Sequence, residues 1–210
     1  MSNPPVVPLA AQRDTWRRRP AQDKAYGRRF LGGALMGLLG LATLLATWVS
    51  YALALDFSLA WFLIGAGGLQ ASLALWSHLA GPTRKSNRKS DHQADLAVFK
   101  VVMGMVYVGG GVTLILSPGF NEPLVLATTL FSIGGLQGLM AWQIRPAVGW
   151  GLTALNSGVG TLLAWLIVLP WGANSPLVMG CLVGLNLMTN GIAIAFIAAA
   201  QSLSSFDFSS

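Results

Sequence analysis

An all-α polytopic membrane protein, with six transmembrane helices as three repeated helical hairpins, is predicted by three observations. Six long apolar stretches dominate a 210-residue chain that is 54% hydrophobic and only 10% charged, with a mean hydropathy of +0.61. A soluble domain of this composition would lack the polar surface to cover itself, so a bilayer must act as its solvent. Cutting the chain at these stretches leaves all 13 Lys and Arg on one side, the asymmetry that marks cytoplasmic segments. Short sequences also recur at fixed offsets in successive stretches, which indicates duplication.

Residues 1–30 combine Pro4, Pro5, Pro8 and Pro20 with Arg13, Arg17, Arg18, Arg19, Lys24, Arg28 and Arg29, and read as a flexible basic cytoplasmic arm. Arg28-Arg29 ahead of an apolar run has the look of an export signal, but residues 31–55 are too long for one. They would span about 37 Å as a helix, so they are read as an uncleaved first span. Spans at 57–80, 97–117, 124–144, 149–169 and 177–200 follow, helix being the open-ended structure that satisfies its own backbone in lipid. Turns at Asp56, 118–123 and 170–176 join the spans in pairs. The membrane domain is thus 31–200, made of hairpins 31–80, 97–144 and 149–200, with 201–210 as a cytoplasmic tail. The inner connections carry Arg84, Lys85, Arg88 and Lys89, then Arg145; Lys100 enters the third span by about a turn and can snorkel. Both termini are assigned to the cytoplasm. The net charge of +6 sits beside the spans, where Arg17, Arg18, Arg19, Arg28 and Arg29 meet anionic headgroups. It therefore argues for a membrane surface and against nucleic acid.

The repeat rests on paired matches. Leu35-Met36-Gly37 and Val102-Met103-Gly104 lie 67 residues apart, as do Gly67-Gly68-Leu69-Gln70 and Gly134-Gly135-Leu136-Gln137. At an offset of 49, Gly135-Leu136-Gln137 meets Gly184-Leu185-Asn186, and Gly109 and Gly111 meet Gly158 and Gly160.

The acids, Asp14, Asp23, Asp91, Asp95 and Asp207 inside and Asp56 and Glu122 at outer turns, all avoid the membrane interior, which argues against carboxylate-coupled transport. The polar groups within the spans are amides: Gln70, Gln137 and Asn186 at equivalent positions, plus Asn156 and Asn190. They can hydrogen-bond helix to helix around a central axis, line a pore for a small neutral solute, or help hold a pigment. His78, near the inner end of the second span with Trp76 beside it, is a candidate tetrapyrrole ligand or pH-sensitive group. Cys181 is the only cysteine, so no internal disulfide and no thiolate metal site is expected. The tryptophans fall where interfacial belts form. Ser-His-acid sets, CxxC pairs and phosphate loops are absent from the sequence, so no enzymatic activity and no catalytic residue is expected.

One stretch carries a family likeness: Arg145-Pro146, Gly149-Trp150-Gly151, Gly158, Gly160, Pro170-Trp171, Asn174-Ser175, 180–186 and Gly191. It resembles the last hairpin of the HdeD family of small bacterial six-helix membrane proteins. Gly104, Gly109, Pro118 and Gly135 are similar to that family's middle unit. The resemblance covers about residues 30–200, strongest over 145–200. Family members commonly carry an acid where this chain has Asn186, and the long basic arm departs from the pattern. The resemblance implies a bacterial inner (plasma) membrane or internal-membrane protein tied to stress or acid tolerance, and the glycine-rich faces and membrane amides of the chain itself lead to the expectation that it acts through packing with lipid, a homo-oligomer or other membrane proteins. Two other readings fit the residues: an accessory or assembly subunit of a larger membrane complex, holding a tetrapyrrole or carotenoid, and a channel or facilitator for a small neutral solute.

Overall fold

The computed structural model describes residues 9–53, 58–79, 89–117, 121–147, 149–169 and 175–204, with side chains from 27 to 76 and 97 to 200 apart from short gaps. Every element among these residues is an α-helix: α1 (Leu9–Leu53), α2 (Leu59–Leu79), α3 (Lys89–Leu116), α4 (Glu122–Gln143), α5 (Trp150–Val168) and α6 (Pro176–Ser204). Each contains a segment long and apolar enough to cross a bilayer. The chain is a multi-pass, six-helix membrane protein.

Two helices run past the hydrophobic segments that announce them. α1 begins at Leu9 and holds 45 residues, so the stretch expected as a flexible arm is helical from Leu9 onward. Its Ala, Gln, Arg and Lys are good helix formers; Pro4, Pro5 and Pro8 precede the helix, and only Pro20 lies within it. α3 likewise starts at Lys89, eight residues before its apolar segment. The tail expected at 201–210 is helical to Ser204, and 205–210 lie outside the described residues.

Local sequence sets the other boundaries. Asn121 caps α4, its Oδ1 accepting from Leu124 N at 3.3 Å, with Glu122 in the first turn and Pro123 where no intrahelical N–H is needed. Ser175 caps α6 from Val178 N at 3.4 Å. α4 passes to α5 through a tight turn in which Ala147 N donates to Ile144 O (2.7 Å) across the cis Arg145–Pro146 bond. Gly149 then enters α5 with φ +96°, and a Cβ there would also press into Ile197 at 2.9 Å, so glycine is required twice over. The Arg145 guanidinium lies 4.3 Å from the Trp150 ring centroid, a cation–π contact that ties the turn to the helix it introduces.

The helices close into a ring. The broadest contacts are α2 with α3, α4 with α5, and α6 with α1. These join neighbouring hairpins, and the two helices within each hairpin touch less extensively. Small residues explain the difference. A Cβ added at Gly40 would stand 2.8 Å from Gly184 O, and one at Gly191 2.7 Å from Gly33 O; Gly104 meets Gly67 O at 2.7 Å, and Gly111 meets Ala60 O at 2.6 Å. In both junctions the facing small residues recur seven apart, two helical turns, so the backbones stay close over that length. The third junction uses hydroxyls: Ser157 Oγ donates to Gly134 O at 2.7 Å.

The core divides by polarity. Toward the end opposite Arg145 it is chiefly Leu63, Leu126, Leu130, Ile167, Met179 and Val183, with Thr47 and Thr129 the polar exceptions, all buried. Toward the end bearing Arg145 it contains Gln137, Asn156 and Asn190. Large apolar side chains such as Leu116, Trp61, Trp142 and Leu155 point outward, as hydrocarbon permits and water would penalise. Some outward positions are open glycines. Gly158 on α5 has no atom within 4 Å of an added Cβ, so Gly158→Ala should leave the thermal midpoint unchanged or raise it, with a gain of up to about 1 kcal/mol from helix propensity. A fall in the midpoint would place that face against a partner.

Candidate functional site

Three amides from three helices meet inside the ring. Gln137 (α4) donates through Nε2 to Asn190 Oδ1 (α6) at 3.2 Å. Asn156 (α5) donates through Nδ2 to Gln137 Oε1 at 2.9 Å and to Asn190 Oδ1 at 3.3 Å. All three are at least nine-tenths buried. Their depths agree: Gln137 is six residues from the end of α4 and Asn156 six from the start of α5, about 9 Å from the same end of the bundle. Position alone thus brings the α4 and α5 amides together, and α6 supplies the acceptor between them.

A second buried pair lies nearer mid-membrane. Asn186 Nδ2 (α6) donates to the Tyr107 hydroxyl (α3) at 2.9 Å, and Tyr107 is fully buried. The amide has room because α5 carries a glycine opposite: a Cβ at Gly160 would stand 3.2 Å from Asn186 Oδ1. The bond joins helices that make no broad contact of their own.

The sequence-predicted residues therefore separate. Gln137, Asn156 and Asn190 are brought together, Asn186 pairs elsewhere, and Gln70 joins neither set; its Oε1 is buried without a protein partner. The equivalent amides Gln70, Gln137 and Asn186 form no mutual hydrogen bonds around an axis. A helical duplication repeats depth and facing, but these side chains end in different surroundings, and each bonds to whatever its neighbour offers. His78 lies in the last turn of α2, and its side chain is outside those described. Of the basic residues, Arg29 is exposed on α1. Arg17, Arg18, Arg19, Arg28 and Lys89 are helical, with side chains outside those described, and Arg84, Lys85 and Arg88 lie outside the described residues. Lys100 is half-buried at the start of the α3 span.

Tyr107 is the residue that sequence reasoning missed. A signal was there: it stands 49 residues before Asn156 and 67 after Gly40, the offsets that relate the hairpins. The odd-numbered helices thus carry Gly, Tyr and Asn at one register position.

Among the described residues no three His, Cys, Asp or Glu side chains gather where a metal would bind. A groove of about 280 Å³ opens between α3 and α4 at the end opposite Arg145, lined by Gly110, Thr113, Leu124, Val125, Thr128 and Thr129. Its threonine hydroxyls are tied to their own helices, Thr113 to Gly109 O, Thr128 to Leu124 O and Thr129 to Val125 O, at 2.7–2.8 Å. The groove therefore presents methyl groups and no free donor.

No family model, curated protein or solved structure matches this chain.

Proposed function

We propose that this chain is a non-enzymatic, HdeD-like integral membrane protein of a bacterial inner or internal membrane. It works in stress or acid tolerance by packing against lipid and membrane-protein partners, a second copy of itself among them. The observation that carries this reading is that the polar core groups bond to one another across α4, α5 and α6, as groups that tie helices together do. The glycine junctions support it in the same way, since their surface is consumed in holding the ring closed. Basic residues on one side favour both termini in the cytoplasm. The facilitator reading has less support, because leucine, isoleucine, valine and methionine side chains fill the outer half of the core.

The test is crosslinking in native membranes followed by mass spectrometry of the full chain purified gently in lipid. The expected result is a discrete homo-oligomer or a reproducible membrane-protein partner. A strictly monomeric protein with no crosslinked neighbour would overturn the packing role, and solute flux through proteoliposomes that falls when Asn156 and Asn190 are replaced would shift the reading to a facilitator.

A further inference from the structure

The amide cluster is self-consistent in only two arrangements. As found, Asn190 Oδ1 accepts from Gln137 and Asn156, and Gln137 Oε1 accepts from Asn156. Turning one or two of the amides by 180° sets oxygen against oxygen or nitrogen against nitrogen. Only turning all three together restores every bond. In the first arrangement Asn156 Oδ1 and Asn190 Nδ2 are buried with no protein partner. In the second, Asn156 is left with a free N–H and Asn190 with a free carbonyl. Either way one donor and one acceptor are orphaned, on the same two residues, which are bonded to each other through their other amide atoms.

An unpaired polar group costs far more in a membrane interior than at a protein surface. One molecule that both donates and accepts satisfies both atoms at once, whichever way the amides are turned. From this geometry we infer that Asn156 and Asn190 hold an ordered water, which donates to one amide and accepts from the other. Chemistry selects it: the groups to be satisfied are neutral, and buried waters commonly bridge such groups with about three hydrogen bonds each. The amides then hold the helices together as a hydrated node.

The inference rests on the helix-tying reading of the cluster, and the two fail differently. The full chain crystallised from a lipidic mesophase should show, in a high-resolution map, a density peak within about 3 Å of both Asn156 and Asn190. Direct contact between the two orphaned atoms, or apolar side chains filling the space between them, overturns the water site and leaves the helix-tying bonds intact. Amides too far apart to bond at all would overturn both. A second measurement needs no variant and no crystal. In selectively ¹⁵N-labelled protein in nanodiscs, the side-chain N–H of Asn190 in the first arrangement, or of Asn156 in the second, should show magnetisation transfer from water. Absence of that transfer at both residues, with both resonances visible, overturns the site.

Discussion

Gly191→Leu should prevent α6 from closing onto α1. A Cβ at Gly191 would run into Gly37 N and stand 2.7 Å from both Gly33 O and Gly37 Cα. These are backbone atoms of a helix, which cannot swing aside as a side chain can, so relief requires separating the two helices along their length. Overpacking typically costs about 1–3 kcal/mol where side chains can adjust, and this junction should lie at or above the upper end. Moving α6 also displaces Asn186 and Asn190 from their partners. The reference is Gly37→Ala on the facing helix: Gly37 has nothing within 4 Å of an added Cβ, so its change should be neutral or a gain of up to about 1 kcal/mol. Denaturation of both variants in mixed micelles checks the pair. A Gly191→Leu protein that unfolds at the wild-type midpoint would refute the ring closure.

Asn190→Leu and Gln70→Leu should differ in the same assay. Asn190 is the shared acceptor for Gln137 and Asn156, so its loss leaves one buried N–H of Gln137 without a partner and weakens the hold of α6 on α4 and α5. Membrane hydrogen bonds average roughly 0.6 kcal/mol and reach about 1.7, while an orphaned buried donor adds about 1–3 kcal/mol. A net destabilisation of about 2 kcal/mol is expected. Gln70 has the same chemistry and is nearly as deeply buried, yet its Oε1 has no protein partner. Leucine there removes an unsatisfied oxygen and should be neutral or stabilising. Equal losses from the two substitutions would show that the amides matter only through their bulk.

The sequence made some of this legible and hid the rest for physical reasons. The six spans could be read because a bilayer imposes length and apolarity on any helix that crosses it, and the observed segments agree with those runs to within a few residues. The starts of α1 and α3 could not, because a helix that continues into the headgroups and beyond changes its side-chain polarity without changing its backbone. The amides stood out as polar groups within apolar runs. Their partners did not, because a bond such as Asn156 to Gln137 depends on how far each helix is rotated about its axis. Tyr107 was hidden by its ambivalence: an aromatic in a span reads as core filling or as part of a belt until its hydroxyl is seen against Asn186. The duplication said which positions are equivalent, such as Gly67 and Gly134, but equivalence does not say which helices are neighbours.

Because α1 takes its broadest contacts from α6, it must wait for a helix made long after it. Gly40 meets Gly184, so well over a hundred residues emerge between partners. At ribosomal rates of about 5–20 residues per second, α1 spends roughly 7–30 s in the bilayer with its glycine face uncovered. During that interval another nascent copy's α6 is a competing mate. Synthesis is therefore the stage at which these molecules are most open to exchanging helices, and an insertase or lipid that shields the early face would set the yield of correctly closed protein.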